Sequence, residues 1–258
     1  SFRTDWTWFA SQDIQVRFGG EMKDLDFVYS STFLDSTIFD TRTHPKEGAV
    51  YTKMKYWPTS RLMIEPGIRV NYYDKAREDI FIDPRFGMKF LLTQDRYINF
   101  SAGVYHQFME TIQDDFNPKI LDAWFAVDSS VAPASANQIV LGYEEYFGSS
   151  YRLQVETYYK DMKNLLTFVD ERSTVDEIVS DETLDDLVDV GDGYAYGFEI
   201  FLEKRLGRIN GWASYSWSIA RKKFQNKEYY TNWDRRHVFN IIGNFRLNPK
   251  WDINGKWT

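Results

Sequence analysis

An all-β chain folded as an antiparallel transmembrane β-barrel is what this sequence predicts, on three observations. Long segments alternate apolar and polar residues with a period of two. The connections between them alternate between tight turns and long polar loops. Aromatic residues reach 18%, with 9 Trp, 17 Tyr and 20 Phe, in a chain whose mean hydropathy is only −0.50. Alternation with one polar face marks a sheet wetted on one side. Combined with short turns at one end, long loops at the other and an aromatic surplus, it is the pattern of a bacterial outer-membrane barrel, whose hydropathy stays low because half of each strand faces water. No stretch approaches the roughly 18 consecutive apolar residues that a transmembrane helix needs.

About twelve strands are expected, at 5–10, 13–30, 48–57, 61–74, 80–92, 96–108, 136–147, 150–165, 194–206, 209–222, 236–247 and 250–258. The clearest pair flanks Thr93-Gln94-Asp95. Before that turn, Phe86, Met88 and Phe90 alternate with Arg85, Gly87 and Lys89; after it, Ile98, Phe100, Ala102 and Val104 alternate with Asn99, Ser101 and Gly103. In 61–74, Leu62, Ile64, Ile68, Val70 and Tyr72 oppose Arg61, Glu65, Arg69 and Asn71. In 150–160, Tyr151, Leu153, Val155 and Tyr159 oppose Arg152, Gln154, Glu156 and Lys160. In 209–220, Ala213, Tyr215, Trp217 and Ile219 oppose Ser214, Ser216 and Ser218. The segment 236–247 is apolar on both faces and its orientation stays open.

Tight turns fall at 58–60, 93–95, 148–149, 207–208 and 248–249, where Gly, Pro, Asn, Ser and Asp supply the backbone geometry. Long connections fall at 31–47, 109–135, 166–193 and 223–235. In a barrel these would be the periplasmic and extracellular ends respectively. Periodicity alone does not separate a barrel, with its apolar face on lipid, from a soluble sandwich with that face turned inward. Strands of ten or more residues favour the barrel over the usual five or six.

The charge is unevenly placed. Residues 170–192 hold ten acidic residues and one Arg, so this loop carries −9 of a chain total of −7 and the rest carries +2. That balance offers no basic surface for nucleic acid. Within the loop, Thr174-Val-Asp-Glu177 reads as a helix-capping box. The dense acids Asp181, Glu182, Asp185, Asp186, Asp189 and Asp192 suit either a cation or plain solvation, without the spacing of an EF-hand. There are no cysteines, which excludes disulfides and thiolate metal sites. The opening SFRTDWTWFA has no signal-peptide pattern. An exported barrel is therefore expected here as a mature form or as a piece of a longer protein.

Taken in order, Ile82-Asp83-Pro84-Arg85-Phe86-Gly87-Met88-Lys89-Phe90 with its hairpin into Asn99–Tyr105, Ala134–Glu144 continuing to Glu156–Lys160, Tyr196–Ile200 with Gly211–Trp217, and Asp234-Arg235-Arg236-His237 resemble the barrel of TonB-dependent outer-membrane receptors, from about Glu47 onward. The resemblance implies a 22-stranded barrel plugged by an N-terminal globular domain. It implies uptake of a scarce ligand (a ferric siderophore, cobalamin or a glycan) driven by force from the inner membrane through TonB, which touches the plug. It also implies a chain embedded in outer-membrane lipid and lipopolysaccharide, without cofactor, metal or catalysis. No plug, no TonB-contacting box and only about twelve strands are present, so residues 1–258 are expected to be a partial barrel.

Two other functions stay open: a small enzyme barrel of the phospholipase kind, and a passive porin. The enzyme would need a Ser–His or Asp–His constellation at the rim. Of the three histidines, His44 lies in a loop, His237 starts a strand, and His106 falls on the apolar face with Ala102 and Val104, where the neighbouring strand offers no Ser. Asp234-Arg235-Arg236-His237 reads as a solvated loop-to-strand junction rather than an anion site. The best site candidates are the inward-facing Glu65, Arg69, Arg85, Arg152, Glu156 and Glu199, which would meet a plug, line the ligand's path or pair across strands. Loop aromatics Phe116, Trp124, Phe125, Tyr229, Tyr230 and Trp233 would stack on a ligand or pack the loops together.

Overall fold

The computed structural model of the chain describes residues 1–33, 36–112, 123–129, 131–168, 188–225, 227–231 and 234–258. Among these, every regular element is a strand. They are β1 (Phe2–Phe9), β2 (Ile14–Asp24), β3 (Phe27–Phe33), β4 (Ser36–Thr43), β5 (Lys46–Thr59), β6 (Leu62–Tyr73), β7 (Ile80–Thr93), β8 (Arg96–Gln107) and β9 (Met109–Ile112). Then follow β10 (Ala123–Ala126), β11 (Ala134–Phe147), β12 (Tyr151–Phe168), β13 (Val188–Lys204), β14 (Ile209–Phe224), β15 (Lys227–Tyr230), β16 (His237–Asn248) and β17 (Trp251–Trp257).

Twelve of them make one path, β1-β2-β5-β6-β7-β8-β11-β12-β13-β14-β16-β17, in which each long strand pairs antiparallel with the next long strand in sequence. These are the twelve strands expected from the alternation. Among the described residues β1 and β17 do not pair with each other, so the path is an arc rather than a closed ring. β15 flanks β14, while β3–β4 and β9–β10 are separate hairpins. Connections at one end are short, at Ser60-Arg61, Gln94-Asp95 and Gly148–Ser150 among others. Gly148 takes the left-handed conformation there (φ 56°), which costs a residue without Cβ little.

Opposed residues in a ladder share a face, so the registers carry two faces across the whole arc. One apolar row runs Val50–Val70–Ile82, another Ala102–Ile139–Tyr159–Tyr196–Ile219. The register of β16 resolves its two-sided pattern: Phe239 and Ile241 stand beside Tyr215 and Ala213 on the apolar face, whereas Val238, Asn240 and Ile242 stand beside Ser216, Ser214 and Trp212 on the polar one. Among the described residues nothing covers the apolar face: Val50 is 62% exposed, Ile139 52% and Trp251 66%. An uncovered face of this extent marks contact with an apolar medium or partner.

Aromatic rings cluster toward both ends of that face. Phe147 stacks on Tyr151 at 5.2 Å near the short turns. Tyr194, Tyr196, Phe198, Tyr215 and Trp217 make a continuous patch of rings about 6 Å apart toward the long loops. Tyr151 and Tyr159 lie eight residues apart on β12, about 27 Å along a strand and about 21 Å along the normal at a tilt of ~40°, near the ~25 Å band of outer-membrane barrels.

The loop ends depart from expectation in five places. The segment expected as one strand, 13–30, bends after Asp24, where the Leu25 amide donates to the buried Pro45 carbonyl (3.1 Å). The long connections 31–47 and 109–135 contain hairpins of their own, β3–β4 and β9–β10. β13 begins at Val188, inside the acidic stretch, because its backbone continues the ladder to β12 and β14. Lys163-Asn164 forms a bulge in β12, with Asn164 at φ 57°, a conformation Asn tolerates better than most residues. The remainder of the acidic loop, including Thr174–Glu177, lies outside the described residues.

A small apolar core closes the outer end of β6–β8. Tyr73, fully buried, stacks on Phe108 with ring centroids 4.8 Å apart, and Phe81 leans on Phe108 at 5.2 Å. The Tyr73 hydroxyl donates to the Val127 carbonyl (2.8 Å), and the Val127 amide donates to the Phe108 carbonyl (3.0 Å). These bonds tie the β9–β10 hairpin to the wall.

Candidate polar-face site

Charged residues on the polar face form cross-strand networks. Of the candidates, Glu65 accepts from Lys53 Nζ (2.8 Å) and lies 3.5 Å from Lys55 Nζ. Arg69 bonds to Glu21 and donates to Asn71 Oδ1 (2.6 Å). Arg85 lies 3.6 Å from Asp83 and over the Tyr105 ring at 4.6 Å. Arg152 donates to Glu144 (2.7 Å) and Gln154 (2.9 Å). Glu156 accepts from Gln154 Nε2 (2.6 Å) and stands directly opposite Glu199 across the β12–β13 ladder. Like charges so placed repel.

Glu65, Arg69 and Arg85 come together around one hollow of about 390 Å³; Arg152, Glu156 and Glu199 lie strands away along the arc. Glycines flank its centre. In its central row Arg85 stands between Gly67 on β6 and Gly103 on β8, so neither cross-strand neighbour has a side chain. Arg3, Arg17, Tyr51, Lys53 and Tyr105 also line it. Sequence reasoning did not single out these five. Their signal was parity: once hairpin registers are fixed, Arg17, Tyr51 and Lys53 fall on the same face as Arg69 and Arg85.

His106 is a correction. Alternation puts it on the apolar face, yet its Nδ1 lies 2.6 Å from Asp83 Oδ1 and its ring 5.2 Å from Phe81. The β7–β8 ladder ends at Arg85–Gly103, while β8 stays paired with β11 through His106–Ser135, so His106 reaches Asp83 across the unpaired side of the strand. Asp83, its side chain 3% exposed, also accepts from Asn71 Nδ2 (3.0 Å). His106 therefore belongs to a buried polar network and presents no rim dyad to lipid.

Outside the wall, Glu110 of the β9 hairpin is 7% exposed, and its two oxygens accept from the Ala134 (3.2 Å) and Leu166 (3.3 Å) amides. Burial pushes its carboxyl up to about 7, against the opposing pull of those amides and Lys222. Tyr230 sits between Arg221 (4.3 Å) and Arg236 (5.0 Å). Asp234 accepts from the Ala220 amide (3.0 Å) and from Arg236 (2.9 Å), as suits a junction. Trp124 and Phe125 pair by backbone with Thr111 and Glu110. Phe116 and Trp233 lie outside the described residues. Among the described residues no three His, Cys, Asp or Glu are grouped to hold a metal.

The same architecture recurs in solved structures. A chain of the FpvAI–pyocin S2 complex superposes with a TM-score of 0.70 at 11% identity, over 98% of this chain and 37% of that one. The ferric yersiniabactin uptake receptor FyuA from Yersinia pestis gives 0.70 at 11%, over 98% and 40%. The alcaligin outer-membrane receptor FauA from Bordetella pertussis gives 0.63 at 14%, over 98% and 44%. This chain thus spans about two-fifths of the length of these proteins. No curated protein matches it by sequence. A family described as TonB dependent receptor-like, beta-barrel, matches residues 1–258. It is a family of receptors and transporters, which sets aside the enzyme barrel, and this chain belongs to it.

Proposed function

We propose that the chain is part of the barrel wall of an outer-membrane receptor that takes up a scarce ligand with energy delivered through TonB. The observation that carries this reading is the two-faced arc: an uncovered apolar face with aromatic clusters at both ends, backed by a face of ion pairs and polar residues. Such a wall suits lipid on one side and a polar lumen on the other. Lumen-facing Glu65, Arg69, Arg85, Arg152, Glu156 and Glu199 would then meet a plug or the passing ligand. The aromatic ends would meet outer-membrane lipid and lipopolysaccharide. Further strands and a plug domain, with which TonB would engage, complete the protein on this reading. The ligand belongs to the siderophore, cobalamin or glycan class.

The test is growth on a single limiting nutrient (ferric siderophore, cobalamin or glycan) of cells with the gene intact or deleted, each with and without TonB. Loss of growth on one nutrient in both the gene deletion and the TonB deletion supports the reading. Uptake that depends on the gene but not on TonB refutes it in favour of a passive porin.

A further inference from the structure

We infer that the hollow around Arg85 binds a small polyanion, a molecule bearing two or more carboxylate or phosphate charges. The inference deepens the uptake reading by naming a ligand class, and rests on it only for how such a molecule arrives.

Carboxylates are in short supply on this face. On the polar positions of β1, β2, β5, β6 and β7, eight Lys and Arg face five Asp and Glu. Lys89 finds its acid elsewhere, Glu144 of β11 at 2.8 Å, which leaves an excess of two positive charges. The acids are accordingly shared. Asp5 serves Arg3 (2.9 Å) and Arg17 (3.1 Å). Glu65 serves Lys53 and Lys55. Asp83 is committed to His106 and Asn71 through its two oxygens, so Arg85 reaches it only at 3.6 Å.

Arg85 is also accessible. The glycines at 67 and 103 put no side chain directly beside Arg85, whose own side chain is 44% exposed. Its guanidinium rests on the Tyr105 ring, which holds a planar fork suited to bidentate carboxylate or phosphate. A concave wall with a net positive charge concentrates counter-ions, and two charges on the ligand match the excess of two over these strands.

The experiment is calorimetric titration of inorganic pyrophosphate into the protein encoded by the intact gene, purified in detergent. The comparison is wild type against R85Q, G103V and R205Q. Wild type binds, and R85Q weakens binding about tenfold or more, the cost of one charge-assisted contact. G103V keeps every charge but also loses binding, because a Cβ at 103 would meet the Tyr105 hydroxyl at 3.0 Å and Arg85 Cγ at 3.2 Å. R205Q, a turn cation paired to Glu203, binds as wild type. The inference is overturned if wild type shows no binding, if R205Q loses as much as R85Q, or if G103V binds normally. Failure here with TonB-dependent growth retained removes the polyanion and leaves uptake standing. Binding without TonB-dependent growth does the reverse.

Discussion

Replacing Glu144 by Gln should loosen three strands at once. The Glu144 side chain is 5% exposed. Its Oε2 accepts from Lys89 Nζ on β7 (2.8 Å), and its Oε1 from Arg152 Nε on β12 (2.7 Å) and the Tyr146 hydroxyl (2.7 Å). Gln keeps the shape but turns one acceptor into a donor and leaves two cations facing an amide. A charge-assisted hydrogen bond contributes roughly 1.5–3 kcal/mol, and orphaning a fully buried partner costs roughly 3–5 kcal/mol. Lys89 and Arg152 are 36% and 26% exposed, so water relieves part of that penalty and the expected loss is about 3 kcal/mol. Denaturant unfolding of the detergent-folded protein, followed by tryptophan fluorescence, measures it as a shift in midpoint at constant slope. R152Q on the E144Q background should cost less than R152Q alone, because the coupling is already gone. An E144Q variant within about 0.5 kcal/mol of wild type would refute the claim that this carboxylate joins β7, β11 and β12.

Ile139→Arg on the uncovered face should cost about 2–4 kcal/mol in a bilayer, whereas Gln138→Arg, one residue away on the polar face, should be nearly neutral; folding yield into lipid vesicles separates them. Glu110 titrates about 7 in the native protein against the ordinary carboxyl range when unfolded. Because the native value is raised, the stability this group contributes is complete at acid pH and is lost as pH climbs toward 7, by up to about 3 kcal/mol. Unfolding midpoints measured from pH 4 to 8 should show that decline in wild type and lack it in E110Q. Tyr73→Phe removes the hydroxyl that donates to the buried Val127 carbonyl, so the β9–β10 hairpin should open about 1–2 kcal/mol more easily. Limited proteolysis there reads the difference.

How much of this was legible beforehand follows from the length scale of each signal. Period-two alternation is local and repeats over ten or more residues, so the twelve wall strands could be read directly, and so could the faces of the cleanly alternating ones, as Phe86, Met88 and Phe90 against Arg85, Gly87 and Lys89 show; the two-sided 236–247 stayed open until its register was known. Register is not local. Only pairing reveals that Gly67 and Gly103 flank Arg85, or that Glu156 opposes Glu199. The hollow, a product of register, was therefore invisible although Glu65, Arg69 and Arg85 were each named. His106 shows the opposite failure: its strand stays in register with β11, but past Gly103 β7 no longer pairs with it and the side chain reaches Asp83 instead. The β9–β10 hairpin and β15 escaped notice because these strands have four residues each, too few for a period to register.

The central claim is that one face of this arc meets lipid and the other water. Because the chain has no cysteine, single cysteines at Gln138, Ile139, Leu141, Gly142, Glu199, Ile200, Phe201 and Leu202 can be scanned in outer-membrane vesicles. Each would be reacted with a water-soluble maleimide and, separately, labelled with a fluorophore and quenched by brominated lipid. The account predicts strict alternation: 139, 141, 200 and 202 quenched by lipid, and 138, 142, 199 and 201 shielded from it. Uniform behaviour along β11 and β13, or lipid quenching at Glu199, would contradict it.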